Sequence, residues 1–513
     1  MTQRRTGRVV LAGAGPGDPS LVTVSALEAL RAADVVVYDS LVSGELLREA
    51  REDAQQIFVG KRAGDHAMPQ EAINALLIDH AQAGQFVVRL KGGDPYIFGR
   101  GAEEADALET AGVRFEIIPG ITAATVASLY AGIPLTDRRH SPTLTFITGH
   151  TASPGVSDDV NWSSLAALGG TLVVYMGVKT MPDIVVRLMA EGMPGSTPAA
   201  VVENAGMSCQ RTVSGVISDI AGRAREESIR APALLIIGSV VSLYPRLAWF
   251  ERLPLFGKRI AVTRATARTE NMTARLRALG AEVFEIPTIA IRPLDLDAGD
   301  RSRLKRIGQY DFVVLTSPPA VDILVDRLRD LSLDVRSLAG VRIAAVGEST
   351  CACLVKYGLR ADVVPDDFTA ATLGEYLGEE GVGGLRFLLP RSGKARAGLV
   401  ERLVKLGAEV DEVKTYEPVQ AQTSCNRIQE VLALEPDFIT FTSSSTVENF
   451  VRIIGADGFE MHRSQMRAAS IGPATSRTLK GLGIDPVVEA EPHTVGGLIE
   501  AMERFVEAAR AEE

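Results

Sequence analysis

Val87-Val-Arg-Leu-Lys-Gly-Gly-Asp-Pro-Tyr-Ile-Phe-Gly-Arg-Gly101 begins as an apolar strand and breaks at once into a loop holding Gly92, Gly93, Pro95, Gly99 and Gly101. A buried strand that ends in glycine suits an open α/β sheet, where ligands bind beyond the carboxyl ends of the strands. Glycine lets backbone approach a ligand with no Cβ in the way. Lys91, Asp94 and Arg100 add charge to the same loop. The stretch therefore predicts a binding site built on a sheet edge, not an ordinary turn.

Working outward, the same strand-to-glycine pattern recurs. Arg8-Val-Val-Leu-Ala-Gly-Ala-Gly-Pro-Gly-Asp18 precedes it, with a helix expected from Thr23 and a second strand at Val35-Val-Val-Tyr-Asp39. Ile57-Phe-Val-Gly-Lys-Arg-Ala-Gly64 is another strand ending in a loop of glycine and cations, followed by a helix over 69–83. Phe115-Glu-Ile-Ile-Pro-Gly-Ile-Thr-Ala-Ala124 repeats the pattern. Parallel strands delivering such loops to one edge predict a cleft. The first loop approaches a dinucleotide-binding fingerprint, which makes an NAD-dependent oxidoreductase the alternative reading. Against it, Asp18 sets a carboxylate where a pyrophosphate should meet a helix N-terminus, and Pro16 removes an N–H donor from the cradle.

Composition sets the bounds. The 513 residues are 46% hydrophobic and 23% charged, the profile of a well-packed globular chain of two to four domains. A net charge of −10 argues against a general nucleic-acid binder. Cys209, Cys351, Cys353 and Cys425 have neither disulfide-framework nor zinc spacing, so no metal is expected. No apolar run reaches membrane-span length and no leader-like segment opens the chain, which points to the cytoplasm with no membrane partner.

These motifs carry a resemblance. GAGPGD at 13–18, VVYD at 36–39, GKRAG at 60–64, VVRLKGGDPYIFGRG at 87–101, PGITAA at 119–124, AGIPLT at 131–136 and YMG at 175–177 resemble the uroporphyrinogen-III C-methyltransferase family over about residues 7–250. The resemblance implies a bilobal tetrapyrrole methylase fold (lobes about 1–120 and 121–245), a homodimer, and S-adenosyl-L-methionine held between the lobes. It implies cofactor contacts at Pro16, Gly92, Gly93, Asp94, Ile97, Thr122, Ala123 and Met176. Where the family has Asn-Gly-Thr this chain has Asn204-Ala205-Gly206, so the family's glycine contact falls on Ala205. Asp39 is the candidate proton acceptor and Lys61 the candidate donor, with a capping carboxylate as the plainer role for Asp39. Arg62, Arg89, Lys91 and Arg100 are expected to meet substrate carboxylates at the cleft mouth.

After a linker read at 246–256, the chain repeats itself at an offset of about 126 residues. Arg259-Ile-Ala-Val-Thr-Arg264 recurs as Arg386-Phe-Leu-Leu-Pro-Arg391, Asp311-Phe-Val-Val-Leu-Thr-Ser317 as Asp437-Phe-Ile-Thr-Phe-Thr-Ser443, and Ile343-Ala-Ala-Val-Gly-Glu-Ser-Thr350 as Ala468-Ala-Ser-Ile-Gly-Pro-Ala-Thr475. That period is too long for a solenoid and fits duplicated α/β lobes with parallel sheets. Extended pieces at 283–292 and 410–419 are predicted to pair as a two-strand bridge. One lobe would then hold 257–285 with 420–513, and the other 293–412.

FTSSSTVENF at 441–450, IGPATSRTL at 471–479 and HTVGGL at 493–498 resemble uroporphyrinogen-III synthase over about residues 257–513. The resemblance implies cyclisation of hydroxymethylbilane to uroporphyrinogen III without a cofactor, Tyr416 assisting departure of the hydroxyl. Thr316, Ser317, Thr442, Ser443 and Thr475 are candidate substrate contacts. The whole chain then reads as a bifunctional transferase and lyase of porphyrin biosynthesis, methylating uroporphyrinogen III twice to give precorrin-2. No dehydrogenase or chelatase motif accompanies these, so another protein is expected to carry the product towards sirohaem, haem d1 or cobalamin. The rival is an active methyltransferase bearing a non-catalytic synthase-like module.

Overall fold

The computed structural model describes residues 7–60, 68–149, 160–264, 266–365, 373, 376–377, 381–393, 398–423 and 425–512, with backbone only over 266–271. Contacts divide the chain into two compact units: Met1–Lys258 with Leu276–Glu282 and Val506–Glu513, and Arg259–Arg275 with Val283–Phe505. Four five-stranded sheets are formed among the described residues.

In the first unit, β1 (Arg8–Gly13), β2 (Val35–Tyr38), β3 (Gln55–Phe58), β4 (Phe86–Lys91) and β5 (Arg114–Ile118) lie in the order β3-β2-β4-β1-β5, every pair parallel. The strands read as near-continuous apolar runs because both faces are covered. Val9, Leu11, Val35, Val37 and Val87 pack into a core on one side. Val10, Ala12, Val36, Val88 and Leu90 pack into a core on the other. The second lobe holds β6 (Leu144–Thr148), β7 (Thr171–Tyr175), β8 (Pro198–Glu203), β9 (Arg211–Val216) and β10 (Ala233–Ile237), ordered β6-β7-β10-β8-β9. Here only β6 and β7 are parallel; β7–β10, β10–β8 and β8–β9 are antiparallel.

The stretch read as a linker at 246–256 is folded onto this lobe. Trp249 donates its indole N–H to Leu129 O at 2.8 Å, Phe250 is buried edge-on against Tyr130, and Leu255 is fully buried. Pro254 and the flanking Pro245 and Gly257 mislead, because the aromatic side chains between them have a core to enter.

The second unit holds two more sheets. β11 (Arg259–Val262), β12 (Glu282–Glu285), β18 (Phe438–Phe441), β19 (Ala468–Ser470) and β20 (Val488–Glu489) are ordered β12-β11-β18-β19-β20. β13 (Ile289–Pro293), β14 (Phe312–Leu315), β15 (Arg342–Ala345), β16 (Arg386–Ser392) and β17 (Glu409–Gln420) are ordered β13-β17-β16-β14-β15. β11 and β16 are repeat equivalents, as are β18 and β14. Yet β11 pairs with β18, and β16 with β14, so each lobe joins the opening strand of one copy to the later strands of the other. The exchange is carried by the predicted bridge: β13 runs antiparallel to β17, Ile289 opposite Gln420 and Pro293 opposite Tyr416.

Candidate active sites

Because the first sheet is wholly parallel, the loops after β1, β2, β3, β4 and β5 leave the same edge. Three of them are fastened together at glycines. A Cβ on Gly13 would lie 2.4 Å from Gly120 Cα, and one on Gly120 would lie 2.2 Å from Gly93 O. Gly15 and Gly93 exchange backbone hydrogen bonds, 3.2 Å from Gly15 N–H to Gly93 O and 2.8 Å in return. The glycine turn after β1 thus gives an N–H to the neighbouring loop where a phosphate cradle would keep it for the ligand. Asp94 completes the fastening. Its Oδ1 accepts from Tyr96 N–H at 2.9 Å and Ile97 N–H at 3.2 Å, and its Oδ2 accepts from Gly120 N–H at 3.1 Å. Asp94 therefore fixes the organising loop to the loop after β5, and the pair forms one ledge.

Opposite this ledge stand the ends of the second-lobe strands. Tyr175, the last residue of β7, has its hydroxyl 2.6 Å from Thr122 Oγ1 and accepts from Ala124 N–H at 3.1 Å. Burial pushes the Tyr175 phenol above its usual value, so it serves as a neutral hydroxyl. The Phe98 ring tilts over Tyr175 with centroids 4.9 Å apart, joining the organising loop to β7. Ala123 and Ala205 pack against one apolar core with Tyr175, and Gly17 of the first turn abuts Met207. Phe98, Arg100, Met176 and Asn204 all hold positive φ without being glycine (53°, 58°, 53° and 48°). Strained backbone of this kind concentrates at ligand-holding loops. Met176 is about half exposed and Ile97 partly so, giving the ledge apolar neighbours, while Pro16 and Gly92 are half-buried. A fully partnered acidic clamp, a glycine cradle and exposed sulfur and aliphatic side chains fit a neutral-to-cationic nucleoside better than an anionic one.

The cations do not sit where the sequence suggests. Arg89 and Lys91 are buried in β4, not displayed at a cleft mouth. Both converge on Glu104 Oε1, at 3.2 Å from Arg89 Nε and 2.8 Å from Lys91 Nζ, and Gln70 donates to the same oxygen at 3.2 Å. Their expected role as open carboxylate receptors is corrected: strand alternation turns both side chains inward, where Glu104 on the helix Gly101–Thr110 neutralises them. Burial, then the neighbouring Arg89, pulls the Lys91 ammonium below its ordinary value. Arg89 reaches further, its Nη2 3.5 Å from Asp39 Oδ2. Asp39 is partly exposed; its Oδ1 caps Leu41 N–H at 3.1 Å while Oδ2 faces the guanidinium. Loop capping and the pairing with Arg89 thus fall on different oxygens. Arg100 is exposed and paired with Glu103 at 2.6 Å. Lys61 and Arg62 lie outside the described residues.

In the second unit, Tyr416 is the residue best placed. It is buried, and its hydroxyl lies 2.8 Å from Ser317 Oγ at the end of β14. A register shift between β16 and β17 sets Arg391 opposite Lys414 but Ser392 opposite Tyr416. The bulge reverses the side-chain parity, so Tyr416 faces the same core as Val413, three residues earlier. Ser443 is engaged as an N-cap, accepting from Thr446 N–H at 3.3 Å. Thr316 and Thr442 stand half-buried at strand ends. Thr475 is buried in the first turn of the helix Pro473–Gly481, beside a Ser470–Ser476 hydrogen bond of 2.9 Å, so its hydroxyl is not displayed as expected. Among the described residues no acidic, histidine and cysteine cluster could hold a metal, and no helix is long and apolar enough to cross a membrane.

Residues 8–221 match the family described as tetrapyrrole (corrin/porphyrin) methylases, and residues 270–500 match uroporphyrinogen-III synthase HemD. A relative, the porphyrin biosynthesis protein HemD of Ruminiclostridium josui, is 35% identical over 497 residues, 97% of this chain and 97% of its own length. The siroheme synthase of Edwardsiella ictaluri is 51% identical over 245 residues, 48% of this chain; the chain spans only 52% of that relative. A uroporphyrin-III C-methyl transferase from Thermus thermophilus, solved with S-adenyl homocysteine, is 40% identical and covers 46% of this chain and 100% of its own, with a TM-score of 0.41. With the match to the Ruminiclostridium protein running end to end, the chain belongs to the family of porphyrin-biosynthesis enzymes that join a tetrapyrrole methylase to a uroporphyrinogen-III synthase, a transferase and a lyase on one polypeptide.

Proposed function

We propose that the second unit cyclises hydroxymethylbilane to uroporphyrinogen III and that the first methylates that product twice, at ring carbons 2 and 7, giving precorrin-2. The observation that carries the methylase half is the Asp94 clamp, whose carboxylate binds the organising loop to Gly120 beside the glycine cradle. S-adenosyl-L-methionine supplies the electrophilic methyl group when bound. Gly92, Gly93, Asp94, Ile97, Thr122, Ala123, Met176, Ala205 and Pro16 would hold it, and their work is orientation, which in methyl transfer supplies much of the rate. Asp39 Oδ2 accepts the proton released from the ring system, with Arg89 keeping that oxygen aimed. With hydroxymethylbilane and methyl donor, the full chain should give a product heavier than uroporphyrinogen III by two CH2 units, one for each methyl gained and proton lost, and calorimetry should detect S-adenosylhomocysteine binding. Heat with NADPH and none with S-adenosylhomocysteine would overturn the methylase reading.

For cyclisation, Tyr416 donates a hydrogen bond to the departing hydroxyl while Ser317 holds the phenol in place. Tyr416→Phe preserves the buried ring and deletes only the hydroxyl. The turnover of hydroxymethylbilane to uroporphyrinogen III should fall on the order of 10²-fold with the fold intact. An unchanged rate would leave Tyr416 as a packing residue of the bridge.

A further inference from the structure

The turn Asn204-Ala205-Gly206 follows β8 and stands beside the first-loop glycines: the Met207 sulfur lies 3.3 Å from where a Cβ on Gly17 would sit. The turn is braced from behind by two side chains that the motifs do not include. Gln210, buried at 2% exposure, accepts the Gly206 N–H through Oε1 at 2.9 Å. Its Nε2 donates to Glu251 Oε1 at 2.8 Å, and Thr212 Oγ1 donates to the same oxygen at 2.5 Å. The two ends of the amide meet one donor and one acceptor, so its orientation is fixed by its partners. Gly206 itself holds φ +78°, and a Cβ there would lie 2.7 Å from Val126 Cγ1 on the helix Ala123–Ala131. The turn is therefore wedged between that helix, whose N-terminal residues Thr122 and Ala123 belong to the cofactor set, and the Gln210–Glu251 pair.

We propose that Gln210 and Glu251 are positioning residues for the methyl-donor site, acting through the Gly206 N–H to hold Ala205 at its place on the cradle. The proposal rests on the reading of Ala205 as a donor contact. It also draws the stretch 246–256 into the methylase site, because Glu251 is seated there by the burial of Phe250 and Leu255 and is not part of a tether. Leaving a buried N–H and a buried amide unpartnered is costly, so the turn shifts when the brace is broken.

The experiment uses the full-length chain and S-adenosylhomocysteine as the calorimetric probe, with KM for the methyl donor and kcat measured alongside. Gln210→Ala should weaken S-adenosylhomocysteine by about tenfold and raise KM for the donor, with kcat at saturation changing far less. Glu251→Ala removes the acceptor of Gln210 Nε2 and should weaken S-adenosylhomocysteine in the same direction as Gln210→Ala. Gln210→Glu alone sets two carboxylates together and should lose affinity; Gln210→Glu combined with Glu251→Gln rebuilds the pair with its charge exchanged and should recover it. That rescue decides the matter even where Gln210→Ala folds poorly. Wild-type affinity in Gln210→Ala, or a double variant no better than Gln210→Glu, overturns the relay and leaves the donor site standing. A wild-type chain that does not bind S-adenosylhomocysteine overturns both together.

Discussion

Glu104→Ala is expected to destabilise the methylase unit by about 3–5 kcal/mol, the cost of breaking a buried ion pair from one side. Glu104 is fully buried, and one of its oxygens receives Lys91, Arg89 and Gln70 together. Its Oε2 has no hydrogen-bond partner among the described residues, so the carboxylate is held by charge more than by a complete set of hydrogen bonds. Removing it strands two cations in β4 with Asp39 as the remaining acidic neighbour of Arg89. Thermal unfolding of the full chain checks this: the transition assigned to the first unit should fall steeply, the other far less. A second substitution makes the argument specific. Lys91→Met on the Glu104→Ala background removes one stranded charge and should recover part of the loss, a coupling that double-mutant analysis reads directly. If the double variant is no more stable than Glu104→Ala, the carboxylate acts by packing and not by charge.

The same triad shows where sequence reading stops. β4 is legible because Phe86–Leu90 is apolar and bounded by glycine, and its position at the centre of the sheet follows from being buried on both faces. The loop that follows is legible as a site because glycine and charge cluster there. What is not legible is which way Arg89 and Lys91 point. Both fall at alternate positions of a strand whose two faces are both covered, and only the helix that lands on them, with Glu104 in its first turn, decides that they are neutralised internally. Tyr416 illustrates the same limit. Its strand is plain from Val410 to Val419, but the bulge that turns it towards Ser317 depends on the pairing of β16 with β17, which no local pattern encodes. The repeat of about 126 residues exposes the two-lobed plan and even the exchange of strands between copies, because similar motifs at equivalent points occupy equivalent places in two sheets. Gln210 and Glu251 lie 41 residues apart in sequence and carry no motif; only the fold of 244–256 back onto the lobe brings them together. A polar residue shortly after a strand, followed by the alternation of Arg211–Val216, is the one signal that hints at β9 and so at a buried Gln210.

Asp39→Asn should leave donor binding intact and lower methyl transfer on the order of 10³-fold. The substitution keeps the size and the Oδ1 that caps Leu41, so the loop after β2 retains its shape. It sets an amide donor against the guanidinium in place of the oxygen that faces Arg89, and removes the carboxylate charge that makes the side chain a proton acceptor. The proposed donor contacts lie on other loops, at Asp94, Thr122, Ala123, Met176 and Ala205, so S-adenosylhomocysteine affinity is the internal control. Asp39→Ala separates chemistry from capping: it deletes both oxygens, and its extra loss over Asp39→Asn measures the loop contact, expected at about 0.5–1.5 kcal/mol of stability. Arg89→Met provides the converse, leaving the carboxylate in place without its guide and leaving Glu104 with Lys91 and Gln70. Single-turnover kinetics with uroporphyrinogen III would place the defect. A slow chemical step with normal donor affinity assigns the proton to Asp39; methyl transfer within a few-fold of wild type in Asp39→Asn means that the ring system loses its proton to another group, and Asp39 is then a capping residue of its loop.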